Sequence, residues 1–139
     1  LGAAPGGWTW QLVNREIRVT AVDTGPMAES LMYSGFVVHQ RAVGFTFRPR
    51  HPVHWMVCDI VEKPARTAAM IEAWLGEGLC REAVVNLKLP MKQRYAEVRR
   101  LLQRLEDGFA ARKIKVSIAC KQLYHDREEV TCHLRRLGK

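Results

Sequence analysis

The chain has 139 residues, of which 47% are hydrophobic and 26% charged, a composition typical of one globular domain. This composition excludes a disordered chain, and no apolar run approaches the roughly 20 residues that span a bilayer, so we expect a cytoplasmic protein with no membrane partner. The net charge of +8 comes from residues 88–139, which hold 14 Lys/Arg against 6 Asp/Glu, whereas residues 1–87 are balanced.

A glycine-rich loop opens the chain at Leu1-Gly2-Ala3-Ala4-Pro5-Gly6-Gly7-Trp8. Its glycines allow a sharp turn and a close approach of the backbone to a ligand, and a helix is expected to begin at Trp8. The spacing matches neither the P-loop nor the dinucleotide-binding pattern, so an ordinary turn before a helix is the alternative. Because such a loop closes a strand and opens a helix, we expect the preceding strand to be absent from this chain.

Six short segments rich in β-branched residues predict strands at residues 18–22, 36–39, 54–58, 83–87, 114–119 and 130–134. They alternate with amphipathic stretches, which indicates an α/β fold with a mostly parallel sheet. Only about ten residues separate the last two strands, too few for a crossover helix, so these two should pair antiparallel as a terminal hairpin.

Two longer helices are predicted between these strands. Pro64 suits the first position of a helix, and apolar residues then recur at helical spacing until Gly76 and Gly78. The longest helix is expected over about residues 92–112, with an apolar face opposite a basic one. The apolar face consists of Tyr95, Val98, Leu101, Leu102, Leu105 and Phe109.

Cysteine and histidine spacing gives no sign of disulfides or metal. The cysteines lie in or beside apolar runs without a Cys-x-x-Cys pair, which predicts buried free thiols and a reducing compartment. These are Cys58, Cys80, Cys120 and Cys132. His51 and His54 share a loop, but no further ligands follow at zinc-finger spacing, so no metal site is expected.

The basic C-terminal third could follow a phosphate backbone, which is how sequence-independent affinity for nucleic acid arises. A solvated face on a basic protein is the alternative interpretation. The residues concerned are Lys92, Arg94, Arg99, Arg100, Arg104, Arg112, Lys113, Lys115, Lys121, Arg127, Arg135 and Arg136.

Ligands of open α/β sheets gather at the carboxyl ends of strands, where Asp23, Asp59 and Lys88 are found. Asp23 stands 17 residues after Gly6, a spacing at which an acidic side chain accepts hydrogen bonds from the ribose of a nucleotide cofactor. A turn at residues 23–26 is the alternative. Asp59 and Lys88 predict a pair in which the aspartate orients the lysine and favours its charged form, or else an ordinary surface ion pair.

Five motifs that occur in order along the chain are more specific for one protein family than the glycine-rich loop alone. They are residues 1–8, 22–27 (Val-Asp-Thr-Gly-Pro-Met), 55–59 (Trp-Met-Val-Cys-Asp), 86–91 (Asn-Leu-Lys-Leu-Pro-Met) and 125–130 (His-Asp-Arg-Glu-Glu-Val). Together they resemble the catalytic domain of the RlmM-type bacterial large-subunit ribosomal RNA 2′-O-ribose methyltransferases, in the FtsJ/RrmJ superfamily. The resemblance covers essentially the whole chain. It implies the Rossmann-like S-adenosylmethionine methyltransferase fold, with the first strand missing.

The resemblance also implies a reaction and a set of residues. The reaction is transfer of a methyl group from S-adenosylmethionine to a ribose 2′-hydroxyl, of a cytidine, in large-subunit ribosomal RNA. Of the Lys-Asp-Lys-Glu tetrad in this superfamily, Asp59 matches the aspartate, Lys88 the second lysine and base, and Glu129 the glutamate. The matched cofactor contacts are Ala4, Pro5, Gly6, Gly7, Asp23 and Asp59.

Two departures from the family pattern accompany the resemblance. The first lysine and an RNA-binding THUMP domain would precede Leu1, so residues 1–139 are expected to form a partial catalytic domain, inactive alone and marginally stable or associating with another copy. Val43 stands where relatives carry an acidic cofactor contact, and its side chain cannot accept that hydrogen bond. A non-catalytic RNA-binding module is the alternative function. A dinucleotide-dependent oxidoreductase would leave Lys88 and Glu129 without a role.

Overall fold

The structure, a computed structural model, describes residues 1–123 and 127–138. The chain divides into two compact units, Leu1–Arg48 and Pro49–Lys139. In chain order the elements are α1 (Gly7–Val13), β1 (Val19–Val22), α2 (Glu29–Met32), β2 (Val37–Gln40), β3 (Val53–Cys58), α3 (Pro64–Gly76), β4 (Cys80–Lys88), α4 (Arg94–Ala111), β5 (Lys115–Lys121) and β6 (Glu129–Leu137).

The first unit is built on β1 and β2, which pair in parallel from Val19 opposite Val37 to Val22 opposite Gln40. Its core consists of Ala21, Met27, Leu31 and Val37. The helix expected near Trp8 is α1. The single-turn α2 was not predicted, because four residues are too few to display a helical period.

The second unit contains a four-stranded sheet in the order β3-β4-β6-β5. β3 and β4 are parallel, whereas β6 lies between β4 and β5 and is antiparallel to both. The expected terminal hairpin is therefore present, but the described strands are mixed rather than mostly parallel. They form two sheets with two parallel and two antiparallel pairings, and the second antiparallel pairing arises because β6 pairs with β4 as well as with its hairpin partner.

The core of this unit lies between the sheet and its two helices. α3 begins at Pro64, as predicted, and α4 buries Leu101, Leu105 and Phe109. Tyr95 was expected on the same apolar face but is 79% exposed, because it lies in the first turn of α4, before the buried stretch begins. Within residues 1–123 and 127–138, no helix combines the length and apolar character needed to cross a membrane.

All four cysteines are free thiols, as predicted. Cys58, Cys80 and Cys132 are buried, and burial raises the pKa of Cys80 to about 12. Cys120 departs from the prediction because it is only partly buried, on the edge strand β5. Its Sγ lies 2.9 Å from Sγ of Cys132, the residue opposite on β6.

Candidate functional site

The glycine-rich loop of the first unit lies against the carboxyl end of β1. The N–H groups of Gly2 and Ala3 donate to the Val22 carbonyl at 2.9 and 3.3 Å, and the Pro5 carbonyl accepts the N–H of Ala28 at 2.8 Å. These contacts hold the loop on both sides. Its conformation is therefore fixed by the protein itself, as a binding loop requires.

Gly6 and Gly7 have different reasons to be glycine. Gly6 has a φ of +133°, and a Cβ there would collide with Cδ1 of Leu31 and lie 3.2 Å from Cε of Met27. A Cβ at Gly7 would meet nothing within 4 Å. The fold requires Gly6, whereas the open space beside Gly7 leaves room for a ligand to approach the backbone.

Asp23 ties this loop to the turn that follows β1. Its Oδ2 accepts the N–H of Ala4 at 2.9 Å, and its Oδ1 accepts the N–H of Gly25 at 2.8 Å. The turn predicted as the alternative role is thus present, and each oxygen keeps a further lone pair for a ligand. Although partial burial opposes the shift, the N–H groups of Gly25 and Ala4 and the nearby His39 hold the pKa of Asp23 below its usual value.

Asp23→Asn should destabilise the protein in a pH-dependent way. A carboxylate with a lowered folded-state pKa contributes stability that is present above the unfolded-state pKa and is lost as pH falls through the folded value. We expect the free energy of unfolding at pH 7 to fall by about 1–2 kcal/mol. The difference from wild type should narrow below about pH 4. Urea denaturation at pH 7 and at pH 3 measures the difference in unfolding free energy between wild type and variant at each pH. An equal difference at the two pH values would contradict this role.

Val43 lies in a turn, where its carbonyl accepts the N–H groups of Thr46 and Phe47, both at 3.2 Å. Its side chain is 53% exposed. An isopropyl group has no acceptor, so a ligand hydroxyl gains no hydrogen bond from this side chain.

Three charged side chains meet at strand ends in the second unit. Asp59 directly follows β3, Lys88 is the last residue of β4, and Glu129 is the first residue of β6, opposite Lys88 in the antiparallel register. Lys88 Nζ donates to Asp59 Oδ1 at 2.8 Å and also to Glu129 Oε2. The structure therefore brings together the three residues matched to the catalytic tetrad.

Two polar residues that sequence reasoning missed complete this cluster. Asn86, which is 5% exposed, donates from Nδ2 to Asp59 Oδ1 at 3.1 Å, and Thr131 donates from Oγ1 to Asn86 Oδ1 at 2.7 Å. The sequence signal that could have found them is the alternation of side chains between the two faces of a strand. Asn86 lies two residues before Lys88 and Thr131 two after Glu129, so all four share one sheet face.

The cluster favours the charged form of Lys88. Although desolvation opposes the shift, hydrogen bonds and charge interactions with Asp59 and Glu129 raise the pKa of Lys88 above its usual value. The lysine side chain is 27% exposed, so it is partly accessible to a ligand. An ammonium has three N–H donors, and the two carboxylates account for two of them. This arrangement can orient a hydroxyl group and, once the amine is neutral, accept its proton.

Of the two histidines considered as metal ligands, His54 contacts a glutamate. His54 Nε2 lies 2.6 Å from Glu82 Oε2, and His133 Nε2 lies 2.9 Å from Glu82 Oε1. In the part of the chain that the structure describes, no three His, Cys, Asp or Glu side chains are grouped as metal ligands. His125 and Asp126 of the last motif lie outside the described residues.

Sequence comparison relates the chain to a group of named enzymes. No protein-family model matches it. Over 139 residues it is 91% identical to the "Ribosomal RNA large subunit methyltransferase M" of Ectopseudomonas mendocina (strain ymp) and 80% identical to that of Pseudomonas aeruginosa (strain LESB58). Over 137 residues it is 81% identical to the protein of that name in Azotobacter vinelandii. The chain spans 39–40% of the length of these relatives.

Comparison with solved structures identifies proteins that share the fold of this chain. The N-methyltransferase NodS of Bradyrhizobium japonicum WM9, in complex with S-adenosyl-L-homocysteine, aligns with 99% of this chain and 76% of its own, with a TM-score of 0.60 and 14% identity. A chain of the Pnkp1/Rnl/Hen1 RNA repair complex aligns with 97% of this chain and 36% of its own, with a TM-score of 0.58 and 10% identity. The chain therefore shares its fold with the methyltransferase NodS, and it is similar throughout its length to part of the ribosomal RNA large subunit methyltransferases M.

Proposed function

We propose that this chain carries the catalytic part of a methyltransferase that modifies a ribose 2′-hydroxyl, of a cytidine, in large-subunit ribosomal RNA in the cytoplasm. The cofactor is S-adenosylmethionine. The observation that carries the proposal is the Lys88 amine held between Asp59 and Glu129, in a chain 79–91% identical to proteins named as ribosomal RNA methyltransferases. Since the chain spans 39–40% of the length of these relatives, residues 1–139 are proposed to form part of the catalytic domain.

The first unit offers residues that fit the cofactor. S-adenosylmethionine supplies the electrophilic methyl group when bound, and the residues that would hold it are Ala4, Pro5, Gly6, Gly7 and Asp23. The open space beside Gly7 supports this assignment, as do the free lone pairs on the Asp23 carboxylate. Asp59 is proposed to contact the cofactor as well as Lys88.

Lys88 is proposed to manage the proton of the ribose hydroxyl. A ribose hydroxyl is a very weak acid, so it must lose its proton as its oxygen forms the new bond to carbon. Neutral Lys88 Nζ accepts that proton. Asp59 and Glu129 favour the charged amine in the free protein, so desolvation of the site or a further cation within it would be what lowers the pKa of Lys88 for the reaction. The two carboxylates hold the amine in one position, as a directed proton transfer requires.

A non-catalytic RNA-binding module is the second candidate. The exposed basic residues of the second unit favour it because they can contact phosphates without any chemistry. Exposed examples are Lys92, Arg99, Arg104, Lys113, Lys115 and Arg135.

Labelled methyl transfer separates the two candidates. The protein at the full length of its relatives is incubated with unmodified large-subunit RNA and S-adenosylmethionine labelled in its methyl group. The proposal expects label in the RNA. Isothermal titration of the cofactor provides an independent reading, expected to show binding by the full-length protein and none by residues 1–139 alone. RNA affinity without cofactor binding in the full-length protein would instead support the non-catalytic module.

A further inference from the structure

We propose that Asn86 and Thr131 are positioning residues that hold the Asp59 carboxylate in the orientation in which it binds Lys88. The geometry of the network is a property of the protein alone. Its consequence for methyl transfer rests on the function proposed above.

The β4–β6 ladder brings the network together. Asn86 is opposite Thr131, and Lys88 is opposite Glu129, on the same face of the sheet. Asp59 follows the neighbouring strand β3, which is parallel to β4, so its side chain reaches the same strand ends. The antiparallel register of β4 and β6 thus places every polar side chain of the network except Asp59 on one face of the sheet.

Each hydrogen bond in this network is donated toward Asp59, from Thr131 to Asn86 and from Asn86 to Asp59. The Thr131 hydroxyl donates to Asn86 Oδ1 at 2.7 Å, and Asn86 Nδ2 donates to Asp59 Oδ1 at 3.1 Å. A reversed amide would place its oxygen against the carboxylate, where two acceptors repel. Asn86 is 5% exposed and its amide has a protein partner at each end, so the orientation of the amide is fixed by its neighbours.

The amide and the lysine share one acceptor atom, Asp59 Oδ1, which also receives Lys88 Nζ at 2.8 Å. Because the amide is neutral, its hydrogen bond stabilises the carboxylate whether or not Lys88 is charged. Without it, the carboxylate can turn away from Lys88, and the contact with Asp59 that favours the protonated lysine weakens. Among the described residues, the charged groups that act on this amine are Asp59 and Glu129. We therefore expect the network to keep the amine in contact with Asp59 and, through that contact, to favour its charged form.

Chemical labelling of the protein alone tests the network. The rate of acetylation of Lys88 by acetic anhydride at pH 9, followed by peptide mass spectrometry with exposed Lys92 as internal reference, reports the neutral fraction of the amine. The free energy of one neutral hydrogen bond, about 0.5–1.5 kcal/mol, limits the change in the pKa of Lys88 to roughly 1 unit. Asn86→Leu should therefore speed Lys88 acetylation by up to about 10-fold. An unchanged or slower rate would overturn the proposal.

Two substitutions of Thr131 separate the hydroxyl from the rest of the side chain. Thr131→Val removes the hydroxyl at nearly constant size and should speed acetylation in the same direction as Asn86→Leu, whereas Thr131→Ser keeps the hydroxyl and should retain the wild-type rate. Thr67→Val removes a buried hydroxyl from α3, so it controls for general destabilisation and should leave the rate unchanged. If Asn86→Leu fails to fold, the Thr131 pair decides alone. Equal rates for Thr131→Val and Thr131→Ser would then overturn the proposal.

Kinetics of the full-length protein complete the test. Thr131→Val should lower kcat while leaving KM for RNA and for cofactor within about twofold, and Thr131→Ser should restore kcat. A wild-type protein that transfers no methyl group but shows the expected acetylation pattern would refute the proposed function and leave the network intact. Lys88-dependent transfer with identical kcat for Thr131→Val and Thr131→Ser would refute the positioning role and leave the function intact.

Discussion

Lys88→Met is expected to lower kcat for methyl transfer to RNA by about 10²- to 10⁴-fold, the usual contribution of a positioned acid or base. Methionine keeps an unbranched side chain of similar length but removes the amine that receives the ribose proton. It also leaves Asp59 and Glu129 facing each other without the cation that both contact. Initial rates of transfer of labelled methyl, measured with the full-length protein, give the effect.

Two further variants interpret that result. Lys63→Met removes an exposed lysine of the same unit that is outside the basic residues considered for RNA binding, and it should leave kcat within about twofold of wild type. Lys88→Arg keeps a positive charge that cannot be given up near neutral pH, so it should not restore activity. A Lys88→Met protein as active as wild type would contradict the proposed role, and so would full activity of Lys88→Arg.

Gly6→Ala is expected to lower the free energy of unfolding by about 2–4 kcal/mol, through backbone strain and overpacking together. The φ of +133° disfavours any residue with a Cβ, and the new methyl group would collide with buried Leu31. Urea denaturation of wild type and variant at pH 7 measures the loss. Because an L-residue disfavours this φ, the loop is expected to shift, and the cofactor affinity of the full-length protein should fall as well.

Gly7→Ala is the matched control for this effect. Gly7 is the first residue of α1 and has open space around the Cβ position, so stability should be unchanged or slightly higher. Cofactor affinity should nevertheless fall, because the methyl group would occupy the space assigned to the ligand. Full-length Gly7→Ala protein that binds the cofactor as well as full-length wild type would argue against this loop as the binding site. An equal stability loss in Gly6→Ala and Gly7→Ala would contradict the packing argument.

The local parts of the fold could be predicted from the sequence because they depend on short patterns. Alternation and β-branched residues located the six described strands to within a few residues, and Pro64 marked the start of α3. The positions of Asp59 and Lys88 at strand ends followed directly from those strand boundaries. Since strand ends gather ligands in this class of sheet, the candidate site could be located before any tertiary information was available.

Non-local pairing could not be predicted from the same patterns. Nothing in the period of a strand says which partner it will have, so the position of β6 between β4 and β5 was missed. That pairing places Glu129 opposite Lys88 and Thr131 opposite Asn86. The sequence pattern identified Asn86 only as part of a strand, whereas its amide contacts depend on two neighbouring strands. The exposure of Tyr95 was missed for a similar reason, because periodicity gives the face of a helix but not where burial begins along it.

The measurement that tests the central claim most directly is the chemical position of the transferred methyl group. Large-subunit RNA is methylated by the full-length protein, digested to nucleosides and analysed by mass spectrometry, with Lys88→Met protein in parallel. The account predicts that 2′-O-methylcytidine appears with wild-type protein and is nearly absent with the variant. A methyl group on the base, or equal ribose methylation by both proteins, would contradict it.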